Sequence, residues 1–251
     1  MLKLLKTGMI ASVLLCTAPT VYAQGLGGLL DKANKQLNNT TKRNPGGAGI
    51  TNNEAVAGLK EALKIGTQNA SGRLSNVNGY FGNQLIKILM PPEAKKVETT
   101  LRSVGMDSHV DKAILAMNRA AEDAASKAVP IFVNAITSMS VQDGISIVKG
   151  GNGAATNYLK SRTTAELTNA FRPVIQNSLN KVNATKYWTD VFTIYNKLPT
   201  TRSKVNPDLT AYVTERALNG LFITIADEEN KIRNNPTARV TDLLKKVFGM
   251  P

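Results

Sequence analysis

The sequence has few of the side chains that most often build catalytic and metal sites. Its 251 residues include one cysteine, Cys16, and one histidine, His109. These counts exclude an intramolecular disulfide and the usual zinc sites, which take several Cys or His ligands. The chain has no GxSxG, Walker or HExxH motif, and no recognisable Ser-His-Asp signature surrounds His109. We therefore expect no metal and no cofactor, and we find no catalytic signature.

Long apolar runs are also missing, apart from one near the N-terminus. Two lysines precede the apolar run Met9–Cys16, and Val21-Tyr22-Ala23 has the small-x-small pattern of a signal-peptidase site. The run is far shorter than the roughly 20 residues that a membrane-spanning helix needs. Residues 1–23 are therefore predicted to be a signal peptide, cleaved near Ala23, and the mature chain to be periplasmic or secreted. Lipidation of the cysteine is less favoured, because a leucine precedes it.

Acidic residues are scarce, and the resulting positive charge is unevenly distributed. The chain carries 31 Lys and Arg against 18 Asp and Glu, a net charge of +13. Between Gly144 and Pro207, nine basic residues are opposed only by Glu166 and Asp190. The polyanions open to an exported protein are lipid head groups and envelope polymers, whereas nucleic acid is not expected. Peripheral membrane contact agrees with this charge, and so does a solvated face that only aids solubility. The sequence does not indicate the oligomeric state.

Helical periodicity dominates the rest of the chain, and no convincing β pattern occurs. From Val110 to Val129 apolar residues recur at steps of three and four, and many of them are alanine. Because small side chains let helices approach closely, we expect a central buried helix there, rather than the wall of a roomy pocket. Pro130 predicts a kink or a break where this helix ends. The predicted class is all-α, with roughly eight to ten short helices around the Ala-rich helix.

Three helix starts can be placed from capping patterns. In a capping box, two side chains bond the free backbone N–H groups of a first helical turn. Thr51 with Glu54 and the run Thr163–Glu166 have this pattern, and Ser140 with Asp143 predicts another N-terminal cap. We expect a helix to begin at each of the three positions.

The predicted domain organisation is a signal peptide, a tether and one helical domain. Residues 24–50 combine a short apolar pattern with a polar, Pro- and Gly-containing stretch, which indicates a short helix and a flexible linker. The helical domain then spans residues 51–251 and ends in a helix that begins at Pro236. Within it, the apolar run Leu85–Met90 fits either a strand or a helix.

Four short motifs lie in order along the chain. They are Gly58–Gly66 (GLKEALKIG), Met117–Glu122 (MNRAAE), Tyr212–Phe222 (YVT and ALNGLF) and Ile232–Pro236 (IRNNP). Together they resemble a family of exported bacterial helical proteins catalogued only as a domain of unknown function, over about Thr51 to Gly249. The resemblance implies an all-helical fold and export, and it carries no catalytic assignment.

Two positions depart from the pattern that this resemblance implies. Gly144 and Asn219 stand where alanine and aspartate are expected. The second departure puts any role for an acid at position 219 in doubt.

The best candidate for a binding site is a glycine-rich turn. Its residues lead into a helix, whose free N–H groups and positive dipole end can bind an anion, and cations lie nearby in the sequence. The residues expected to bind a ligand are Lys149, Gly151, Asn152, Gly153, Thr156, Lys160 and Arg162. A plain glycine turn between helices is the alternative interpretation.

A second set of polar residues is the weaker candidate, for catalysis. Asn118 and Glu122 lie one turn apart on the central helix, and Asp143 is the third member. If they are buried, the first two need polar partners, and Arg119 is too far round the helix to be an automatic one. Glu229 and Arg233, four residues apart, predict a helix ion pair instead.

Two functional hypotheses follow. The leading one is an exported, non-catalytic helical protein that binds an anionic or amphipathic envelope component through the basic region Lys149–Lys204. The alternative is a hydrolase-like enzyme that uses Asn118, Glu122 and Asp143. Convergence of those three side chains in one apolar pocket would favour the enzyme.

Overall fold

Helices account for all the regular structure in the part of the chain that is described. The computed structural model describes residues 50–197, 199, 204–235 and 241–242. In chain order the helices are α1 (Asn52–Ser75), α2 (Lys95–Ser103), α3 (Asp107–Ala125), α4 (Ala128–Thr137), α5 (Val141–Lys149), α6 (Ala154–Lys181), α7 (Ala184–Tyr195) and α8 (Leu209–Asn234), with a 3-10 turn, Pro92–Ala94, before α2. Those eight helices and the lack of a strand among the described residues confirm the all-α prediction. The predicted signal peptide, the tether up to residue 49 and the helix predicted from Pro236 lie outside these ranges.

Four long helices form the centre of the fold. α1, α3, α6 and α8 have 24, 19, 28 and 26 residues and pack on one another. α2 packs on α3, α4 and α5 pack on α1, and α7 packs on α6 and α8. The core therefore rests on helices longer than the short ones expected around the Ala-rich helix. α3 is central as predicted, and it shares that position with α6 and α8.

Two of the three capping predictions are confirmed. The Thr51 hydroxyl accepts the Glu54 N–H at 3.3 Å while the Glu54 carboxylate accepts the Thr51 N–H at 2.9 Å, and Ser140 with Asp143 repeats this exchange at α5. The predicted start at Thr163 is wrong, because α6 runs through it. There the Thr163 hydroxyl donates to the carbonyl of Leu159 at 2.7 Å, a bond to the preceding turn that a helix interior allows.

The break after the Ala-rich helix lies earlier than the sequence suggested. α3 ends at Ala125 and α4 begins at Ala128, so the chain turns at Ser126–Lys127. Pro130 is the third residue of α4, in the first turn, where backbone N–H groups have no partner within the helix. The proline therefore fits a helix start, and the prediction of one continuous helix to Val129 is wrong.

No single helix among the described residues has the length and apolarity to cross a membrane. The bent pair α4 and α5 reaches the required length and hydropathy only when both helices are counted together, across a bend of 104°.

Gly144 lies at a close approach between α5 and α1. A Cβ atom at this position would stand 2.7 Å from both γ-carbons of Val56, which is buried in α1. Real Cβ contacts are longer than this, so the glycine lets the two helices meet. This contact gives a local physical reason for glycine where the resemblance led us to expect alanine.

Gly144→Ala is expected to lower the free energy of unfolding by about 1–3 kcal/mol, because the added methyl group overpacks the contact with Val56. Urea denaturation of the single variants and of Gly144→Ala/Val56→Ala measures the coupling, and the second substitution should relieve most of the clash. Gly72→Ala is the control, since nothing lies within 4 Å of a Cβ there, and it should stabilise α1 slightly. Equal stability of Gly144→Ala and the native chain would contradict this packing.

Candidate functional site

The longest irregular segment among the described residues, 76–91, is held by Asn118. The side chain of Asn118 is fully buried; its Oδ1 accepts the N–H of Ile88 at 2.9 Å, and its Nδ2 donates to the carbonyls of Ile88 and Ile114, both at 2.8 Å. The amide thus satisfies both backbone groups of Ile88. Because Ile88 is already hydrogen bonded, it does not need a neighbouring strand or a helical turn. The run Leu85–Met90, which contains it, forms neither a strand nor a helix.

Glu122 holds the other end of the same segment. Its Oε1 accepts the N–H groups of Tyr80 and Phe81, both at 3.1 Å, and its Oε2 pairs with the guanidinium of Arg119. Arg119, which the sequence did not make an automatic partner, therefore does pair with Glu122, because the i,i+3 spacing brings the two together. Burial, and then the charge of Glu122, raises the pKa of Tyr80, so the phenol stays protonated and donates to the carbonyl of Ala217 at 2.8 Å.

The structure does not bring the three weak catalytic candidates together. Asn118 and Glu122 are both occupied by backbone groups of residues 76–91, and Asp143 bonds Ser140 in the cap of α5. These hydrogen bonds from Ser140 hold the pKa of Asp143 below its ordinary value. All three side chains therefore stabilise local structure through their hydrogen bonds.

The glycine-rich turn has an anion at its helix end, and this anion belongs to the protein. Gly151 and Gly153 have φ values of 71° and 82°, which favour glycine. Beyond them, the N–H groups of Ala155 and Thr156 donate to the carboxylate of Glu229 at 3.2 and 2.9 Å, and the Thr156 hydroxyl donates at 2.7 Å. The positive end of α6 therefore binds a side chain of α8.

Glu229 is also paired with Arg233, as predicted. The Arg233 Nε lies 2.9 Å from Glu229 Oε1, and its Nη2 donates to the carbonyl of Ile147 at 3.0 Å. The sequence spacing was enough to predict this pair. The contact of the same carboxylate with Thr156, 73 residues earlier in the chain, could not be predicted, because no local sequence pattern indicates it.

The other residues predicted to bind a ligand at the turn lie at the protein surface. Lys149, Asn152, Lys160 and Arg162 are all exposed, and residues two apart on a helix, such as the last two, do not face each other. The Arg162 guanidinium lies 5.5 Å from the ring centre of Tyr158. Exposure of these side chains agrees equally with a ligand-binding surface and with a solvated one.

An open apolar groove of about 760 Å³ lies between the α2–α3 pair and α7. No pattern in the sequence indicated it. Its walls are aliphatic, aromatic and alanine side chains: Val97 and Leu101 of α2, Val110, Ala113, Ala116, Met117 and Ala120 of α3, and Tyr187, Trp188, Val191 and Phe192 of α7. The expectation that the Ala-rich helix does not wall a pocket is therefore wrong. One face of α3 packs into the core, while its small alanine side chains on the neighbouring face leave this space.

The rim of the groove is polar and carries free positive charge. Lys112 and Lys181 are exposed and form no ion pair with another described residue. The rim acids are engaged: Glu98 pairs with Lys95 and Arg102, and Asp123 accepts a hydrogen bond from the hydroxyl of Ser178. The arrangement can hold an apolar chain along its floor and an anionic group at its edge.

The sequence profile of a family described as "Protein of unknown function (DUF4197)" matches residues 49–249. The chain belongs to the DUF4197 family. No curated protein matches it. No solved structure matches it either.

The groove of this DUF4197 member contains a serine, an aspartate and a histidine, but they are not arranged as a catalytic triad. Ser178 and Asp123 lie at one end, whereas His109 lies 14 residues before Asp123 on α3, about 21 Å along the helix axis. Hydrogen-bond reach between a nucleophile and its base is about 3 Å. Among the described residues, no three His, Cys, Asp or Glu side chains form a group that could hold a metal ion.

Asn118→Ala is expected to lower the free energy of unfolding by about 2–4 kcal/mol, because the buried N–H and carbonyl of Ile88 lose their partners. Denaturant unfolding measures the loss, and the exchange rate of the Ile88 amide should rise with it. Asn177→Ala, at an exposed position of α6, is the matched control and should change stability by less than about 0.5 kcal/mol. A loss no larger than the control's would contradict this role of Asn118.

Proposed function

We propose that the protein is an exported, non-catalytic binding protein for single-chain lipids with an ionised head group, held in the groove between α2, α3 and α7. Export is supported by the signal-peptide pattern of residues 1–23. The observation that carries the proposal is the groove itself: it has apolar walls, and the two lysines at its edge form no ion pair with another described residue.

The dimensions of the groove favour one acyl chain. Residues from His109 to Asp123 line it, so it extends along about 21 Å of α3. Its volume of about 760 Å³ lies within the usual range of small-molecule sites, roughly 300–1,000 Å³. An apolar groove of this length suits a flexible hydrocarbon chain better than a compact ring system.

The charges at the rim favour an anionic head group. Lys112 and Lys181 can each approach a carboxylate or phosphate at the edge of the groove, while the neighbouring acids Glu98 and Asp123 already have partners. This modifies the basic-region hypothesis, because Lys112 lies outside the region Lys149–Lys204 and Lys181 lies within it. The cations that matter are those beside apolar surface, since exposed charges alone are screened by salt.

The geometry does not favour the hydrolase alternative. Asn118, Glu122 and Asp143 line neither the groove nor the smaller concavity beside residues 76–91. Their hydrogen bonds are to the protein's own backbone and caps. The proposal therefore rests on binding alone.

Trp188 provides a direct test, because it is the chain's one tryptophan and lies in the wall of the groove. Palmitate brominated in mid-chain should quench its fluorescence on titration, and unbrominated palmitate should compete with that quenching. Ala116→Phe should abolish the quenching by filling the groove, whereas Ala165→Phe, at an exposed site on α6, should leave it unchanged.

A charge-reversal pair tests the head-group assignment. Lys112→Glu/Lys181→Glu should weaken palmitate binding by about tenfold, and it should leave the uncharged monopalmitoyl glycerol unaffected, because only the ionised head group meets the rim. Lys149→Glu/Lys160→Glu makes the same change in net charge away from the groove. Equal losses from both pairs would contradict the assignment, as would quenching that survives Ala116→Phe.

A further inference from the structure

Two apolar side chains project from the segment 76–91 that α3 holds. Leu85 and Val77 are 82% and 74% exposed, the highest values among the large hydrophobic residues of the described chain. Both line a concavity of about 460 Å³ together with Ile223 of α8, which is 41% exposed. We call Val77, Leu85 and Ile223 the loop patch.

The exposure of the loop patch is fixed by the fold. The neighbouring backbone is bonded to Asn118 and Glu122, and the ring of Tyr80 is fully buried between the projecting residues. The turn before it is also specific: Asn78 has a φ of 69°, and a Cβ at Gly79 would lie 2.5 Å from the carbonyl oxygen of Arg73. The segment is tightly bonded, so local disorder does not explain why its leucine and valine are exposed.

One acid lies beside the loop patch: Asp227 lines the concavity and is paired with Arg73 and Lys231. Between residues 76 and 92 the one charged residue is Lys87, whose ammonium group lies 4.0 Å from the ring centre of Phe81. The side chains of Asn76, Asn78 and Asn83 line the same concavity, and amides of this kind can bond polar head groups. Apolar tips, amides around them and a nearby cation match the layers of a bilayer surface with anionic lipid.

We infer that the loop patch is a membrane-docking surface, with Val77 and Leu85 inserted at the interface of an anionic lipid bilayer. Arg119 joins this surface to the groove, since it lines the groove and its Nη2 donates to the Asn78 side chain at 2.9 Å. Docking would therefore place a bilayer beside one end of the groove. The inference goes beyond the proposed function, because the two surfaces are different and each can fail alone.

Flotation of the protein with vesicles of phosphatidylcholine and phosphatidylglycerol tests the inference. Val77→Asp/Leu85→Asp should lower the vesicle partition coefficient by at least about tenfold, because burial of the two apolar side chains is lost. Val104→Asp/Val141→Asp is the matched control: it makes the same change in charge at two other exposed valines, 65% and 47% exposed. Val77→Ser/Leu85→Ser, which adds no charge, should also weaken binding, and thermal unfolding should show that all variants are folded.

A fluorescent reporter tests insertion directly. In a Trp188→Phe background, Leu85→Trp should give a tryptophan whose emission shifts to the blue on vesicles and is quenched by lipids brominated on the acyl chain. Val104→Trp in the same background should show neither change.

Several outcomes would overturn the inference. Equal losses from the two aspartate pairs would mean that only net charge matters. Retained binding of the loop pair would show that another surface docks, and concentration-dependent dimerisation that the loop pair abolishes would make the patch an interface between two copies. Palmitate binding in solution is read separately through Trp188. Its failure with docking intact would defeat the proposed function alone, and docking failure with palmitate binding intact would defeat this inference alone.

Discussion

The fold depends on one constraint: the buried backbone groups of residues 76–91 must be hydrogen bonded although the segment is neither helix nor strand. α3 meets this constraint with Asn118 and Glu122, whose side chains take the place of a neighbouring strand. An unpaired buried N–H or carbonyl costs about 1–3 kcal/mol, so the two side chains decide whether this segment can pack at all. Because Met90 at its end lines the groove, the same bonds also fix one side of the candidate site.

α3 therefore combines two roles that its alanines make compatible. One face packs closely against α1, α6 and α8, while the neighbouring face leaves a channel towards α7. The positive end of α6 could attract an anionic ligand, but it already binds the carboxylate of Glu229. The groove and the loop patch, in contrast, are apolar, with lysines beside them. Apolar surface beside a cation favours amphipathic molecules over free anions.

Features set by neighbouring residues could be predicted from the sequence, and features set by distant ones could not. The caps at Thr51 and Ser140, the helical class and the Glu229–Arg233 pair all follow from spacings of three or four residues. The start predicted at Thr163 failed because threonine can bond the preceding turn as well as cap one. Ile88, which Asn118 holds, lies 30 residues away from it, and the groove is a gap between helices about 70 residues apart. Periodicity along the sequence indicates neither contact.

Native mass spectrometry of the protein, purified gently from the cells that make it, tests the assignment of the groove as a lipid site most directly. The account predicts one single-chain anionic lipid bound to each chain, lost in Ala116→Phe and retained in Ala165→Phe. A bare chain, or a lipid retained equally by both variants, would contradict the assignment of the groove as the binding site.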